Sequence, residues 1–392
     1  MPPISPRPPQ RQYELDALRG LMLVLMTITH LPTRLSSPLG QPLGYVSAAE
    51  GFVLLSAYMA GLVYGRVALA KGVDAMRLAF WRRARKVYAA HAGLMLFLFT
   101  VIAGVGVTID QAVVENLLGF YLAEPVHAFL MGVLLIYRPP LLDILPMYVL
   151  FMLISPLAIA WGMRRGWGGI IAGSVALWVL AQLGVGEWLF AHTVTAAGSH
   201  MSFQEAGSFS TLGWQLLWVV GLSMGASRSA PNPRPFVFPG WVVAVSAVLG
   251  AAAMVWRHWA GQVPFETTTA LGVFINSLFD KWHLGPLRML NLAMLVVLTI
   301  RMAPMVAGFW ERHERPTGAN FLVALGSASL PVFCAHLLIV LLVLTAWGDL
   351  PTARTPWGDF SLLVACFGAL YLVADMTLWL QRASARFYSP GL

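Results

Sequence analysis

Residues 16–34 read DALRGLMLVLMTITHLPTR, an apolar run that carries Arg19 near its start and His30 near its end. On a helix, the eleven steps between them turn roughly 1100°, about 20° past three turns, and rise about 16.5 Å, so both side chains share one face. A run of this length and apolarity is a membrane span. Ionisable groups inside a span are costly and usually face a cavity or a pathway, so a functional role is expected for both. One helix thus aims a guanidinium and an imidazole along a single line.

Composition extends this reading to the whole chain, because 58% hydrophobic and 11% charged residues do not describe an ordinary soluble domain. Apolar stretches near the length of a crossing recur at 16–36, 46–66, 88–109, 141–162, 168–184, 211–227, 238–258, 287–306, 328–347 and 359–381. An all-α, polytopic integral membrane protein with about ten transmembrane helices is expected. The stretch 112–137 is also apolar but holds Glu115, Asn116, Glu124, Pro125 and His127, which marks it as interfacial or re-entrant.

Basic residues set the orientation, since short cytoplasmic loops retain Lys and Arg. An inside N-terminus puts eighteen of the twenty-five on the cytoplasmic side; only Arg34, Arg138, Arg257, Lys281, Arg288 and Arg354 fall opposite, with Arg19 inside the first span. Both termini are expected in the cytoplasm. The net charge of +8 is mostly this asymmetry and requires no nucleic-acid partner. The Pro-rich start predicts a disordered cytoplasmic arm over 1–12, then a single transmembrane domain over 13–386 and a cytoplasmic tail over 387–392. No cleavable export signal is apparent. Cys334 and Cys366 both lie in apolar spans and suggest neither a disulfide nor a metal site.

The outer connections near 110–140, 185–210 and 259–286 are long, whereas inner ones such as 163–167 are short. Trp188, Phe279 and Trp282 stand there beside Glu187, Glu205 and Asp280, a mixture that suits a sugar and equally an interfacial aromatic belt. The inner face carries FWRRARKVYAAH, residues 80–91. Arg82, Arg85 and Lys86 share a helix face at i, i+3 and i+4, which fits either a phosphate-rich ligand or topogenic charge. His91 either extends that phosphate site or is a satisfied structural histidine. In the second span Glu50 should lie at the depth of His30, placed either to hydrogen-bond it or to meet the headgroup region. Asp16, at i−3, is expected chiefly to neutralise Arg19.

The spacing from Arg19 to His30, followed by AAEGFVLLSAYMAGLVYG and FWRRARK, resembles the acyltransferase-3 superfamily. More narrowly, ELDALRG, KWHLGPLRMLN and SLPVFCAHLL resemble the OpgC family, over nearly the whole chain. Ser56-Ala57 departs from the Ser-Gly that the superfamily often shows, and no Pro closely follows Arg85. The resemblance implies an inner-membrane O-acyltransferase that takes an acyl group, succinyl in this family, from cytoplasmic acyl-CoA and places it on hydroxyls of a periplasmic glucan. It implies no permanently bound cofactor and makes neighbouring glucan-synthesis proteins conceivable partners. By position, His30 matches the catalytic imidazole and Arg19 its essential companion; Glu50, from its expected depth beside His30, would orient that imidazole. Arg82, Arg83, Arg85 and His91 would hold the donor, and His336 resembles a late histidine of the superfamily. A succinyl carboxylate would need a cation, for which Arg34 and Arg288 are placed. The competing reading is a multi-span transporter of a polar or anionic solute, with the intramembrane charges as its path; the lack of a repeat between the two halves counts against it. A scaffold for glycan synthesis would leave those charges without a use.

Overall fold

Each expected span is helical in the computed structural model, which describes residues 12–196, 200–233, 235–312, 317–349 and 354–387 and has no strand among them. The expected arm, apart from Gln12, and the expected tail, apart from Phe387, lie outside the described residues. α1 (Tyr13–His30) has Glu14 and Asp16 in its first turn, where unpaired N–H groups favour negative charge, and it carries Arg19 and His30 without a break. A short α2 (Ser36–Gly40) leads to α3 (Ala48–Lys71), whose start is fixed by a capping box between Ser47 and Glu50. α4 (Val73–Phe97) continues through a π-helical turn, Leu98–Ile102, into α5 (Ala103–Thr108).

The next segment forms α6 (Ala112–Ala123) and α7 (Pro125–Val133). The Tyr121 hydroxyl donates to the Phe99 carbonyl at 3.0 Å, and the Tyr88 hydroxyl donates to the Val133 carbonyl at 3.0 Å. Phe99 and Tyr88 are eleven residues apart along the α4 run, about 16.5 Å of helical rise. The segment therefore runs antiparallel beside α4. α8 (Ile144–Arg165) follows, then α9 (Gly168–Gln182) and α10 (Val185–Ala196), which meet at a 75° bend. The chain is completed by α11 (Thr211–Arg228), α12 (Gly240–Ala260), α13 (Ala270–Leu278), α14 (Pro286–Arg312), α15 (Thr317–Ser327), α16 (Ser329–Trp347) and α17 (Pro356–Phe387).

This is an all-α, multi-pass membrane protein. Among the described residues, seven helical runs are long and apolar enough to cross a membrane, eight if the bent α9–α10 pair counts as one span. The remaining two of the ten expected spans are α1 and α11, both 18-residue helices of a different character. α1 holds three charged residues, and α11 turns Trp214, Leu217, Trp218 and Leu222 into the core. Burial separates an inner set from an outer one. Within the spans, 61% of α8 and 56% of α3 is buried inside the protein, against 11% of α12 and 17% of α14, whose apolar surface suits lipid.

Small residues let the inner helices touch. A Cβ on Gly20 would lie 2.0 Å from the Leu322 carbonyl oxygen, and one on Gly326 would lie 1.8 Å from that of Asp16, so α1 and α15 meet backbone to backbone. α3 and α11 meet in the same way with glycines on both sides: a Cβ on Gly61 of α3 would lie 2.2 Å from the Leu222 carbonyl oxygen, and one on Gly221 of α11 would lie 2.8 Å from the Ala57 Cβ. A Cβ on Gly225 would lie 1.9 Å from the Tyr58 carbonyl oxygen.

Candidate active site

α16 touches α1 at both of the polar residues that α1 carries. At the end nearer the basic cluster, Arg19 Nη2 donates to Ser329 Oγ, and Nη1 lies 3.9 Å from Asp16 Oδ1. Asp16 also accepts from the Ser327 hydroxyl at 3.2 Å, so its pairing with Arg19 is loose. Arg19, Arg83, Ser56, Tyr148, Phe52 and Phe333 line a cavity of about 30 Å³, and Arg19 Nε is buried there without a partner. That volume suits about one or two water molecules, so a larger ligand needs side chains to move. Two guanidinium groups at one narrow crevice make a cationic site.

Arg82, Arg83 and Arg85 do not act together. Met76, Phe80, Ala84, Val87 and His91 form the buried stripe of α4, with Arg83 at its edge, half-buried and facing Arg19. Arg82, Arg85 and Lys86 are exposed on the other side of the helix. His91 is buried against α7, its Nε2 3.4 Å from the Gly132 carbonyl oxygen and its Nδ1 without a partner, and it does not line the crevice shared by Arg19 and Arg83.

At the other end of α1, His30 Nδ1 lies 3.2 Å from Nε2 of His336 on α16, with the rings stacked at 5.4 Å between centroids. Glu50 is not the partner of His30. One of its oxygens accepts from the Ser47 backbone N–H at 3.0 Å and from the Ser47 hydroxyl, and the other accepts from Arg288 Nη1 at 2.7 Å. Glu50 and Arg288 therefore form a buried ion pair, and Arg288 Nε also donates to the Phe279 carbonyl at 3.0 Å. Arg34 is committed as well: it donates to Asp359 at 3.2 Å and to the Arg354 carbonyl at 2.6 Å. Both cations expected to hold a substrate carboxylate thus already have a carboxylate partner within the protein.

The loop before α14 is held by three donors from two helices, α9 and α11. Trp178 Nε1 donates to the Leu284 carbonyl at 2.9 Å, Gln182 Nε2 to that of His283 at 2.7 Å and Trp214 Nε1 to that of Trp282 at 3.1 Å. Leu284 is fully buried with a left-handed φ of 56°, a conformation that persists only where surroundings enforce it. His283 bridges two carboxylates, Nδ1 at 2.8 Å from Asp280 and Nε2 at 2.7 Å from Glu187. The hydrogen bond to Asp280 raises the His283 imidazole above its ordinary value and Glu187 adds to this, against the opposing effect of burial. For Asp280, burial alone would raise the carboxyl, but the bonds from His283 outweigh it and hold it below the usual range.

This loop faces a cavity of about 900 Å³, whose lining includes Glu187, Asp280, Trp282, Phe274, Lys281 and Arg288. Of the outer residues singled out in the sequence, Glu187, Phe279, Asp280 and Trp282 come together here, whereas Trp188 and Glu205 do not line it. Sequence reasoning gave no role to Ser329, Lys281 or His283. All three lie in blocks that carry the family resemblance, SLPVFCAHLL and KWHLGPLRMLN, and that is the signal by which they were open to notice.

Neither a curated protein nor a solved structure matches the chain. A family model described as OpgC protein matches residues 11–382, which takes in both ends of α1, the His30–His336 pair and the 279–285 loop. The chain belongs to the OpgC family.

Proposed function

We propose that this protein is an O-acyltransferase of the bacterial inner membrane that moves an acyl group, succinyl in this reading, from cytoplasmic acyl-CoA to a hydroxyl of a periplasmic glucan. Family membership supports a general role in glucan modification. The observation that carries the finer reading is the contact of His30 Nδ1 with His336 Nε2 at 3.2 Å, on the same helix as Arg19 and about three turns away. If His30 Nδ1–H donates to His336, the tautomer is fixed and His30 Nε2 keeps a lone pair for general-base work. His336, rather than Glu50, is thus the orienting partner.

The donor enters with its phosphates at the basic end, where Arg83 and Arg19 receive negative charge, and its pantetheine arm follows α1 towards His30. The acceptor hydroxyl gives its proton to His30 Nε2 as its oxygen bonds to the thioester carbonyl carbon. The tetrahedral intermediate then collapses, the carbon–sulfur bond breaks, and the leaving thiolate takes the proton back from His30. General-base assistance of this kind contributes about 10²–10⁴-fold to rate. The test compares glucans from cells carrying the native chain and His30→Ala at equal protein levels. Loss of the anionic substituents is the expected result, and unchanged substitution overturns the reading.

A further inference from the structure

Six basic residues fall at the His30 end of the molecule, and five are engaged. Arg34 donates to Asp359, Arg354 to Asp359, Arg138 to Thr211, Arg257 to Gln41 and Arg288 to Glu50. Lys281 makes neither a hydrogen bond nor an ion pair with any described residue. Its Nζ instead lies 5.0 Å from the Trp282 ring and 5.7 Å from the Phe209 ring, where it faces the 900 Å³ cavity. Its charge bears on His30, Glu50 and Asp143. Yet Glu50 is taken by Ser47 and Arg288, and Asp143 accepts from the Ser208 backbone N–H at 3.2 Å. The backbone carrying Lys281 is fixed by the indole and amide donors described above. A rigidly presented, unpaired ammonium within electrostatic reach of the proposed base calls for an anion brought by a substrate.

We infer that Lys281 binds a carboxylate carried by the acyl group in transfer, and so selects a dicarboxylic acyl donor over a neutral one of equal length. This rests on the acyltransferase reading above and adds to it the residue that recognises the acyl chain. A hydroxyl-rich, uncharged acceptor offers no such anion. Arg34 and Arg288, which position alone recommended, are already neutralised.

The experiment uses the full-length protein in lipid nanodiscs with succinyl-CoA or butyryl-CoA as donor, and a β-glucan oligosaccharide as acceptor. With Lys281→Met, kcat/KM for succinyl-CoA should fall about ten- to a hundredfold, the effect of losing one charge-assisted bond, while that for butyryl-CoA stays within about twofold. Lys281→Arg should keep the preference. An equal fall with both donors, or no fall with succinyl-CoA, overturns the inference. In a parallel arm, succinyl-pantetheine should raise the thermal stability of the native protein more than butyryl-pantetheine does, and Lys281→Met should abolish that difference. If the native protein transfers neither acyl group, the acyltransferase reading fails. Lys281 is then judged by the thermal arm alone, where an undiminished succinyl-specific shift in Lys281→Met overturns the inference.

Discussion

The two ends of α1 are built differently although one helix connects them. Around Arg19 the protein is tight: a cavity of about 30 Å³ is walled by aromatic rings and holds two guanidinium groups. Beyond His30 it is roomy, with about 900 Å³ lined by carboxylates, amides, aromatic rings and a lone ammonium. The contrast matches two kinds of visitor. A thin, flexible arm ending in phosphates suits the first end, and a bulky polyhydroxylated chain suits the second. Buried charge is also handled differently: Arg19 leans on a hydroxyl and a distant carboxylate, whereas Arg288 has a close ion pair.

That difference in pairing gives the largest expected effect. Arg288→Met leaves Glu50 buried without its cation, and breaking a buried pair in this way costs about 3–5 kcal/mol. Arg34→Met removes an exposed partner of Asp359 and should cost no more than about 1 kcal/mol. Thermal unfolding of the two variants in detergent measures the gap, and equal melting temperatures would break the distinction drawn for the roomy end. A middling effect is expected at the tight end. Arg83→Met should raise the KM for acyl-CoA about tenfold, the equivalent of one charge-assisted contact, whereas Arg82→Met leaves it nearly unchanged. If the exposed residue matters as much as the inward one, the crevice is not where the donor's charge is read.

The smallest effect concerns pH and the loop that bounds the roomy end. His283 has a raised folded pKa, so the stability it adds is complete below the ordinary histidine value near about 6.5 and is lost as pH climbs through the raised value. Asp280 has a lowered one, so its contribution is present above the ordinary carboxylate value near about 3.9 and is lost as pH falls through the lowered value. Hydrogen exchange across 279–285, corrected for intrinsic rates, should therefore be slowest in mildly acidic solution and quicken on the alkaline side. Asp280→Asn should flatten that alkaline limb. A profile that does not respond to this substitution removes the carboxylate–imidazole–carboxylate bridge from the account.

The helical run, its two polar residues and their common face were legible in residues 16–34 alone, because period and hydropathy are local properties. Partners were not. Depth counting put Glu50 level with His30, but level residues on neighbouring helices meet only if both point inward to the same place, and rotation about a helix axis is set by packing. Glu50 turned to Arg288, 238 positions away in sequence. His336 could not be set against His30 for the same reason, since nothing local tells which helix α16 touches. Arg83 was more accessible to reading: the spacing of Phe80, Ala84, Val87 and His91 marks the inward stripe of α4, and Arg83 borders it while Arg82 does not. The i, i+3 rule grouped Arg82 with Arg85 correctly but is silent on which way that face turns. Lys281 could be found only by elimination, after every other cation at its end had been given a partner.

The tightness around Arg19 has an electrical consequence. A passage that joins the two sides of an energised membrane is a liability, because any continuous file of water lets ions run down their gradient. Phe52, Phe333, Leu145 and Leu330 leave room for little more than a water molecule at this level, and the guanidinium groups of Arg19 and Arg83 repel cations from it. On the proposed reading the empty molecule therefore insulates and opens only around a ligand that fills the gap, so that acyl groups cross without the membrane losing its charge.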